Sequence, residues 1–122
     1  MSGVGSKDLV VLARGRLDDE YPALAIRVAL VLPLAGVNVR LILADAASSL
    51  ALEEAPTLGP WTGGLARALE SLIGEEGVPV LVETESLVEL GLAGRALRPG
   101  VAAASRAEVV AACSQSGSFL VL

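Results

Sequence analysis

The sequence contains no histidine, a single cysteine and only one residue each of phenylalanine, tryptophan and tyrosine. Without histidine, the chain cannot form a His-dependent catalytic triad, a histidine proton shuttle or the usual zinc sites. With Cys113 alone, it cannot form an intrachain disulfide or a CxxC motif, which excludes a secreted disulfide scaffold. These absences predict a protein of the reducing cytoplasm that holds no metal ion and no cofactor.

Charge is also scarce, because charged residues make up 19% of the chain against a usual share of about 25%. Nine basic residues face fourteen acidic ones, and the net charge is −5. A nucleic-acid-binding domain normally has a basic excess and stacking aromatics, so no nucleic acid partner is expected. The most apolar stretch, Pro22–Val39, is interrupted by Arg27 and Gly36 and is too short to span a bilayer. No membrane partner is predicted.

Aliphatic residues are abundant, and hydrophobic residues make up 53% of the 122 residues. This length predicts a single domain over residues 1–122, with residues 1–7 as a flexible tail. The core must be aliphatic because aromatic side chains are almost absent. The low charge leaves little polar side-chain area for the surface. We therefore expect another subunit to cover part of the apolar surface.

Short apolar segments alternate with helical patterns along the chain. The predicted strands are Leu9–Ala13, Val37–Ala44, Val78–Val82, Val101–Ala104 and Phe119–Leu122. Between them lie helices near residues 22–32 and 64–73 and two short helices, each with an S-x-x-E capping box, at Ser86/Glu89 and Ser105/Glu108. This alternation predicts an α/β three-layer sandwich with a mainly parallel five-stranded sheet, flavodoxin-like in arrangement. Asn38 and Arg40 make the second strand partly polar, which favours a place near an edge.

Polar residues follow the first four predicted strands at the points where each strand ends, and those after the fourth are Ser105 and Arg106. In open α/β sheets, ligands bind beyond the carboxyl ends of the strands. A polar ligand or partner site and an ordinary solvated rim both fit this pattern, and the sequence leaves both open. The candidate site residues are Arg14, Gly15, Arg16, Asp45, Glu83 and Thr84.

Cys113 is the one thiol that could act as a nucleophile. It lies in the last turn of the final helix, which predicts a position at the amino end of the sheet, away from the candidate site. The negative end of the helix dipole disfavours a thiolate there, so an inert, packed thiol is predicted. Glu83 and Glu85 are predicted to diverge, since one ends a strand and the other begins a helix. Trp61 is predicted to anchor its Gly/Pro-rich segment to the core or to an interface.

Three pieces of the chain together carry a family resemblance. They are the acidic helix start of residues 15–25 with Tyr21, the segment LAGVNVRLILADAASSLAL (Leu34–Leu52), and the segment GVPVLVETESLVELGL (Gly77–Leu92). In this combination the chain resembles the small DsrE/DsrF/DsrH-like proteins, whose better-known members belong to sulfur-relay systems. The resemblance extends over about residues 8–122.

The resemblance implies a flavodoxin-like fold and assembly into dimers, trimers or hexamers, either of this chain alone or with other DsrE-like subunits. In the sulfur-carrying members, a cysteine just after the third long strand accepts persulfide sulfur. The matching position here is Glu83, which has no thiol. The resemblance therefore implies a relative that lacks the sulfur carrier of the family.

Three functions remain open from the sequence. The first, favoured by the nearly uncharged helix Ala23–Leu32, is a non-catalytic oligomeric or partner-binding subunit, in which this helix is shared between a core and an interface. The second is a small-ligand-binding protein or enzyme that uses the strand ends. Its residues are Arg14, Arg16, Asp45, Glu83 and Thr84. The third, weaker alternative is a sulfurtransferase that uses Cys113.

Overall fold

The computed structural model describes residues 7–54 and 62–122, which build a five-stranded sheet. Its strands are β1 (Lys7–Ala13), β2 (Val37–Leu43), β3 (Val80–Glu83), β4 (Val101–Ala104) and β5 (Ser118–Val121). The strand order is β4-β3-β2-β1-β5, and every neighbouring pair is parallel. The predicted α/β class with a flavodoxin-like parallel sheet is confirmed.

The helices divide unequally between the two faces of the sheet. They are α1 (Tyr21–Val31), α2 (Thr62–Gly74), α3 (Thr84–Glu89) and α4 (Arg106–Gln115), with 3₁₀ segments at Leu32–Ala35 and Asp45–Ala51. The main core lies between the sheet and α1, α2 and α3. On the other face, α4 covers a smaller cluster that includes Val10, Ile42 and Val109. We call these the α1 face and the α4 face.

The prediction that β2 lies near an edge is wrong, because β2 is the central strand. Its polar residues Asn38 and Arg40 are exposed, while Val39, Leu41 and Leu43 between and beyond them are buried. Alternate residues of a strand point to opposite faces, so Asn38, Arg40 and Ile42 all point to the α4 face. The single helix α4 buries Ile42 there but leaves the amino end of β2 open to solvent.

One of the two predicted capping boxes is present. The Ser105 hydroxyl accepts a hydrogen bond from the Glu108 N–H (3.1 Å), and the Glu108 carboxylate accepts one from the Ser105 N–H (3.0 Å). The box at Ser86 and Glu89 is wrong, because α3 already begins at Thr84 and Ser86 lies buried inside it.

Two other local predictions fall at or beyond the limits of the described residues. Lys7, predicted as part of a tail, belongs to β1, and the rest of that tail and Trp61 lie outside the described residues. Across residues 7–54 and 62–122, no helix is both long enough and apolar enough to cross a membrane.

Candidate functional site

The carboxyl ends of the central strands and the start of α4 bring charged side chains together along one groove. The groove has a volume of about 610 Å³. Its polar lining includes Arg14, Asp45, Glu83, Arg106 and Glu89. Arg14 follows β1, Asp45 follows β2 after one residue, and Glu83 ends β3, so a parallel sheet places all three at one edge. The predicted convergence of Arg14, Asp45 and Glu83 is therefore present.

Glu83 is the buried centre of this cluster, with 5% of its surface exposed. Its Oε1 atom accepts hydrogen bonds from Ser86 Oγ (2.6 Å), Arg106 Nη2 (2.8 Å) and Arg106 Nε (3.1 Å). The Arg106 guanidinium also donates to both carboxylate oxygens of Glu89, at 3.0 and 3.2 Å. The hydrogen bonds to Glu83 and then to Glu89 raise the pKa of Arg106, and the cation remains charged throughout the physiological range.

Ser86 connects this ion pair to the end of β2. Its hydroxyl accepts a hydrogen bond from the Asp45 N–H (2.8 Å) and donates its own proton to Glu83. The backbone of Asp45 is left-handed (φ 49°), a conformation that residues other than glycine rarely adopt. The Asp45 carboxylate pairs with Arg14. Hydrogen bonds and ion pairs thus run without a break from Arg14 to Arg106, and they join the ends of β1, β2 and β3 to α3 and α4.

Glu85 also reaches Arg106, but through the backbone. Its Oε1 atom accepts hydrogen bonds from the Arg106 N–H (2.8 Å) and the Thr84 hydroxyl (3.0 Å). Glu83 and Glu85 thus bind opposite ends of Arg106, its guanidinium and its backbone N–H, and that they diverge stays a prediction. A hydrogen bond donated by the backbone N–H of Glu85 itself, followed by the one from the Arg106 N–H, lowers the pKa of the Glu85 carboxyl.

We expect protonation of Glu85 in acid to lower the stability of the protein. A carboxyl whose pKa is lowered by folding stabilises the fold above its unfolded pKa, and this stability is lost as the pH falls through the folded pKa. The Glu85→Gln variant should therefore lose less melting temperature than the wild type between neutral pH and about pH 3. Glu75→Gln, on the turn after α2, is the control. An equal acid-induced loss in the wild type and Glu85→Gln would contradict this role.

The other predicted site residues have different surroundings. Arg16 pairs with Asp18 (2.7 Å) in the exposed loop after β1. Gly15 lies against the start of α1, where an added Cβ would be 3.1 Å from the Tyr21 Cβ. Thr84 hydrogen-bonds to Glu85, as described above. Arg14, Asp45 and Glu83 thus line the groove, whereas Gly15 and Arg16 lie in the loop after β1 and Thr84 begins α3.

Arg106, Ser86 and Glu89 belong to the cluster but are absent from the candidate site residues. Arg106 follows the Ser105 cap directly after β4, and the sequence places it at the fourth strand end without assigning it to the site. Ser86 and Glu89 were interpreted only as helix-capping residues. Their hydrogen bonds instead connect α3 to β2 and to α4.

Cys113 lies in the last turn of α4, as predicted, where the charge of Arg40 on β2 acts on its thiol. It packs against the cluster that includes Val10 and Ile42 beneath α4, and it lines the groove that extends along α4 to Glu83 and Arg106. The prediction that it lies away from the candidate site is therefore wrong. Burial raises the pKa of the Cys113 thiol, which lowers the fraction of thiolate at neutral pH. Its low reactivity stays a prediction.

Each charged side chain of the groove has an oppositely charged partner, although three carboxylates face two arginines and leave one excess negative charge. Arg14 pairs with Asp45, and Arg106 pairs with both Glu83 and Glu89. Throughout the described part of the chain, no cluster of carboxylate or thiol groups could hold a metal ion. The arrangement fastens secondary-structure elements together and leaves its mixed polar and apolar walls open to solvent.

Two solved structures share this architecture. The ychN protein from E. coli is 19% identical with a TM-score of 0.72, and the match covers 96% of this chain and 99% of that one. Protein MTH1491 from Methanobacterium thermoautotrophicum, described as of unknown function, is 17% identical with a TM-score of 0.66, at the same coverage of both chains. No protein-family model and no curated protein matches the chain. The comparisons thus support the resemblance at the level of the fold: the chain has the DsrE-like fold.

Proposed function

We propose that the protein is a non-catalytic subunit, related to the DsrE-like proteins of sulfur-relay systems, that acts by assembling with other protein chains. The burial and the hydrogen bonds of Glu83 are the observation that supports this proposal. At the position where the resemblance implies a sulfur-carrying cysteine, the chain has a buried carboxylate whose Oε1 accepts three hydrogen bonds. A carboxylate cannot form a persulfide, and this one fastens α3 and α4 to the sheet. The position supports the fold and leaves no thiol for sulfur transfer.

The exposed apolar surface supports assembly as the mode of action. On α1, the side chains of Leu24 and Val31 are exposed, and Leu34 follows them with 81% of its surface in water. On β5, Phe119 and Val121 are about half exposed. Neighbouring apolar side chains left in water on one element commonly mark an interaction site. The lone thiol suits a reducing compartment, and a cytoplasmic location is part of the proposal.

A persulfide-transfer assay tests the proposal. Purified protein is incubated with a labelled sulfane-sulfur donor at neutral pH, and bound sulfur is measured by intact mass spectrometry. We expect no stable uptake by the folded chain, because burial keeps the Cys113 thiol protonated. The same chain unfolded in urea should be modified and shows that the assay works. Stoichiometric uptake by the folded protein that is lost in Cys113→Ser would establish sulfurtransferase activity instead.

The groove favours a second candidate, the binding of a small polar molecule. Its volume of about 610 Å³ lies in the range of small-molecule sites, and its rim holds Arg14, which is half exposed. A ligand with an anionic group would compete with Asp45 for Arg14. Screening small carboxylates and phosphates by NMR should then shift the signals of Arg14 and Phe119. Saturable shifts that disappear in Arg14→Ala would support this candidate, and unchanged spectra would reject it for these ligands.

A further inference from the structure

Strand β5 is an unprotected edge of the sheet. Its one strand neighbour among the described residues is β1, and all four of its side chains are exposed. Natural edge strands usually avoid unwanted pairing through charged side chains, proline or a bulge. The β5 sequence SFLV contains neither charge nor proline, and its pairing with β1 runs from Ser118 to Val121 without a bulge.

The backbone of β5 offers a regular set of hydrogen-bonding groups to a further strand. The Leu122 N–H donates to the carbonyl of Leu12 (2.9 Å), so Leu122 points toward β1. Successive residues of a strand turn their backbone groups to alternate sides, so Leu120 also points toward β1. Phe119 and Val121 therefore direct their N–H and C=O groups outward, away from the sheet.

Apolar side chains flank this edge on both faces. Phe119 and Val121 pair with Val10 and Leu12 and so share the α4 face, where Phe119 and the exposed Val110 line the same groove. Leu120 pairs with Val11 and so lies on the α1 face. At the carboxyl end of β5, Tyr21 of α1 lines a shallow pocket together with Val121. One turn further along α1, Leu24 is also exposed.

We infer that β5 pairs in antiparallel orientation with β5 of a second copy of this chain, about a twofold axis at Leu120. The inference rests on the proposed function and specifies the surface and the partner. In this register Phe119 of each copy lies opposite Val121 of the other and exchanges both backbone hydrogen bonds with it, so all the outward groups of the two strands are satisfied. The two Leu120 side chains meet at the centre on the α1 face. A single sheet then continues through both copies.

The area that must be covered favours a second copy over an extended peptide. A stable interface takes about 800 Å² from each partner. A peptide paired with four residues covers only the edge itself, whereas a second copy brings its own helices alongside Tyr21 and Leu24 on one face and Val110 on the other. The side chains of β5 carry no charge, and the charged residues beside Tyr21 and Val121 are Arg14 and Asp45, which pair with each other, so two chains of net charge −5 bring no like charges together at the centre of this surface.

Substitution at the twofold axis tests the inference by sedimentation velocity. Leu120→Lys places two ammonium groups opposite each other and should weaken dimerisation at least roughly tenfold. Val88→Lys adds the same charge at a site of 62% exposure on α3 and should leave the wild-type dimer intact. Circular dichroism confirms folding of both variants. An oligomer that survives Leu120→Lys overturns the inference and leaves the proposed function standing. A wild type that is monomeric at every concentration overturns both.

A cysteine cross-link gives a second test that does not depend on weakening the fold. Residues opposite each other in a non-hydrogen-bonded antiparallel pair have Cα atoms about 4.5 Å apart, which lies within disulfide range. In a Cys113→Ser background, Leu120→Cys should therefore form a covalent dimer under mild oxidation, seen on non-reducing gels. Val88→Cys in the same background is the control. If Leu120→Cys forms no more covalent dimer than Val88→Cys, the inference is wrong.

Discussion

Replacement of Glu83 by alanine should lower the free energy of unfolding by about 3 kcal/mol and the melting temperature by roughly 10 °C. The buried carboxylate accepts hydrogen bonds from Ser86 and Arg106, and its loss leaves the fully buried Ser86 hydroxyl without an acceptor for its proton. A cavity also remains at the junction of β3 with α3. Urea denaturation at neutral pH, followed by circular dichroism, measures the change.

Glu89→Ala is the matched control for this prediction. Glu89 also pairs with Arg106, but its side chain is 57% exposed, so its loss should cost only about 0.5 kcal/mol. Glu83→Gln keeps the shape and an acceptor oxygen and should lie between the two. If Glu83→Ala costs no more than Glu89→Ala, Glu83 has no structural role and the basis of the proposed function is removed.

Gly100→Ala should cost about 3 kcal/mol, from two separate effects. Gly100, just before β4, has a φ of +90°, which is strained for any residue with a side chain. An added Cβ would also lie 2.3 Å from Cγ2 of Ile73 on α2, so the helix or the turn has to move. Urea denaturation of the variant measures the sum of these two costs.

Two further variants separate the strain from the clash. Gly94 has a similar φ of +81°, with open space around an added Cβ, so Gly94→Ala should cost only about 1–2 kcal/mol. Ile73→Ala removes the clashing atom. Gly100→Ala should therefore lower the free energy of unfolding less in the Ile73→Ala background than in the wild type. If Gly100→Ala and Gly94→Ala cost the same, the contact with Ile73 does not restrict this turn.

Local signals explain the predictions that the structure confirms. The Ser105 capping box depends on residues three positions apart, and the alternation of strands and helices follows from hydrophobic periodicity along the chain. The convergence of Arg14, Asp45 and Glu83 follows in the same way, because the carboxyl ends of parallel strands meet at one edge. The resemblance correctly implied the fold, whereas membership of the family and its oligomeric state stay predictions.

The predictions that failed depended on neighbours far away in the sequence. Ser86 has the spacing of a helix cap, but Glu83 and the backbone of Asp45 engage its hydroxyl. Asn38 and Arg40 have the polarity of an edge strand, yet they belong to the central strand of a sheet with one thinly covered face. The position of Cys113 depends on the path of α4, which connects β4 to β5 at the opposite edge of the sheet and so crosses the whole sheet.

The sequence by itself determined the class of fold, the elements along the chain and the exclusion of histidine-, disulfide- and CxxC-based chemistry. It also determined that a carboxylate, Glu83, ends the third strand, where the resemblance implies a thiol. Only the tertiary structure decided that Arg106 neutralises this carboxylate, that Cys113 shares its groove and that β5 forms an open edge. The physical reason is that strand order and the docking of α4 bring together residues that are far apart in the chain, and no local pattern of residues specifies those partners.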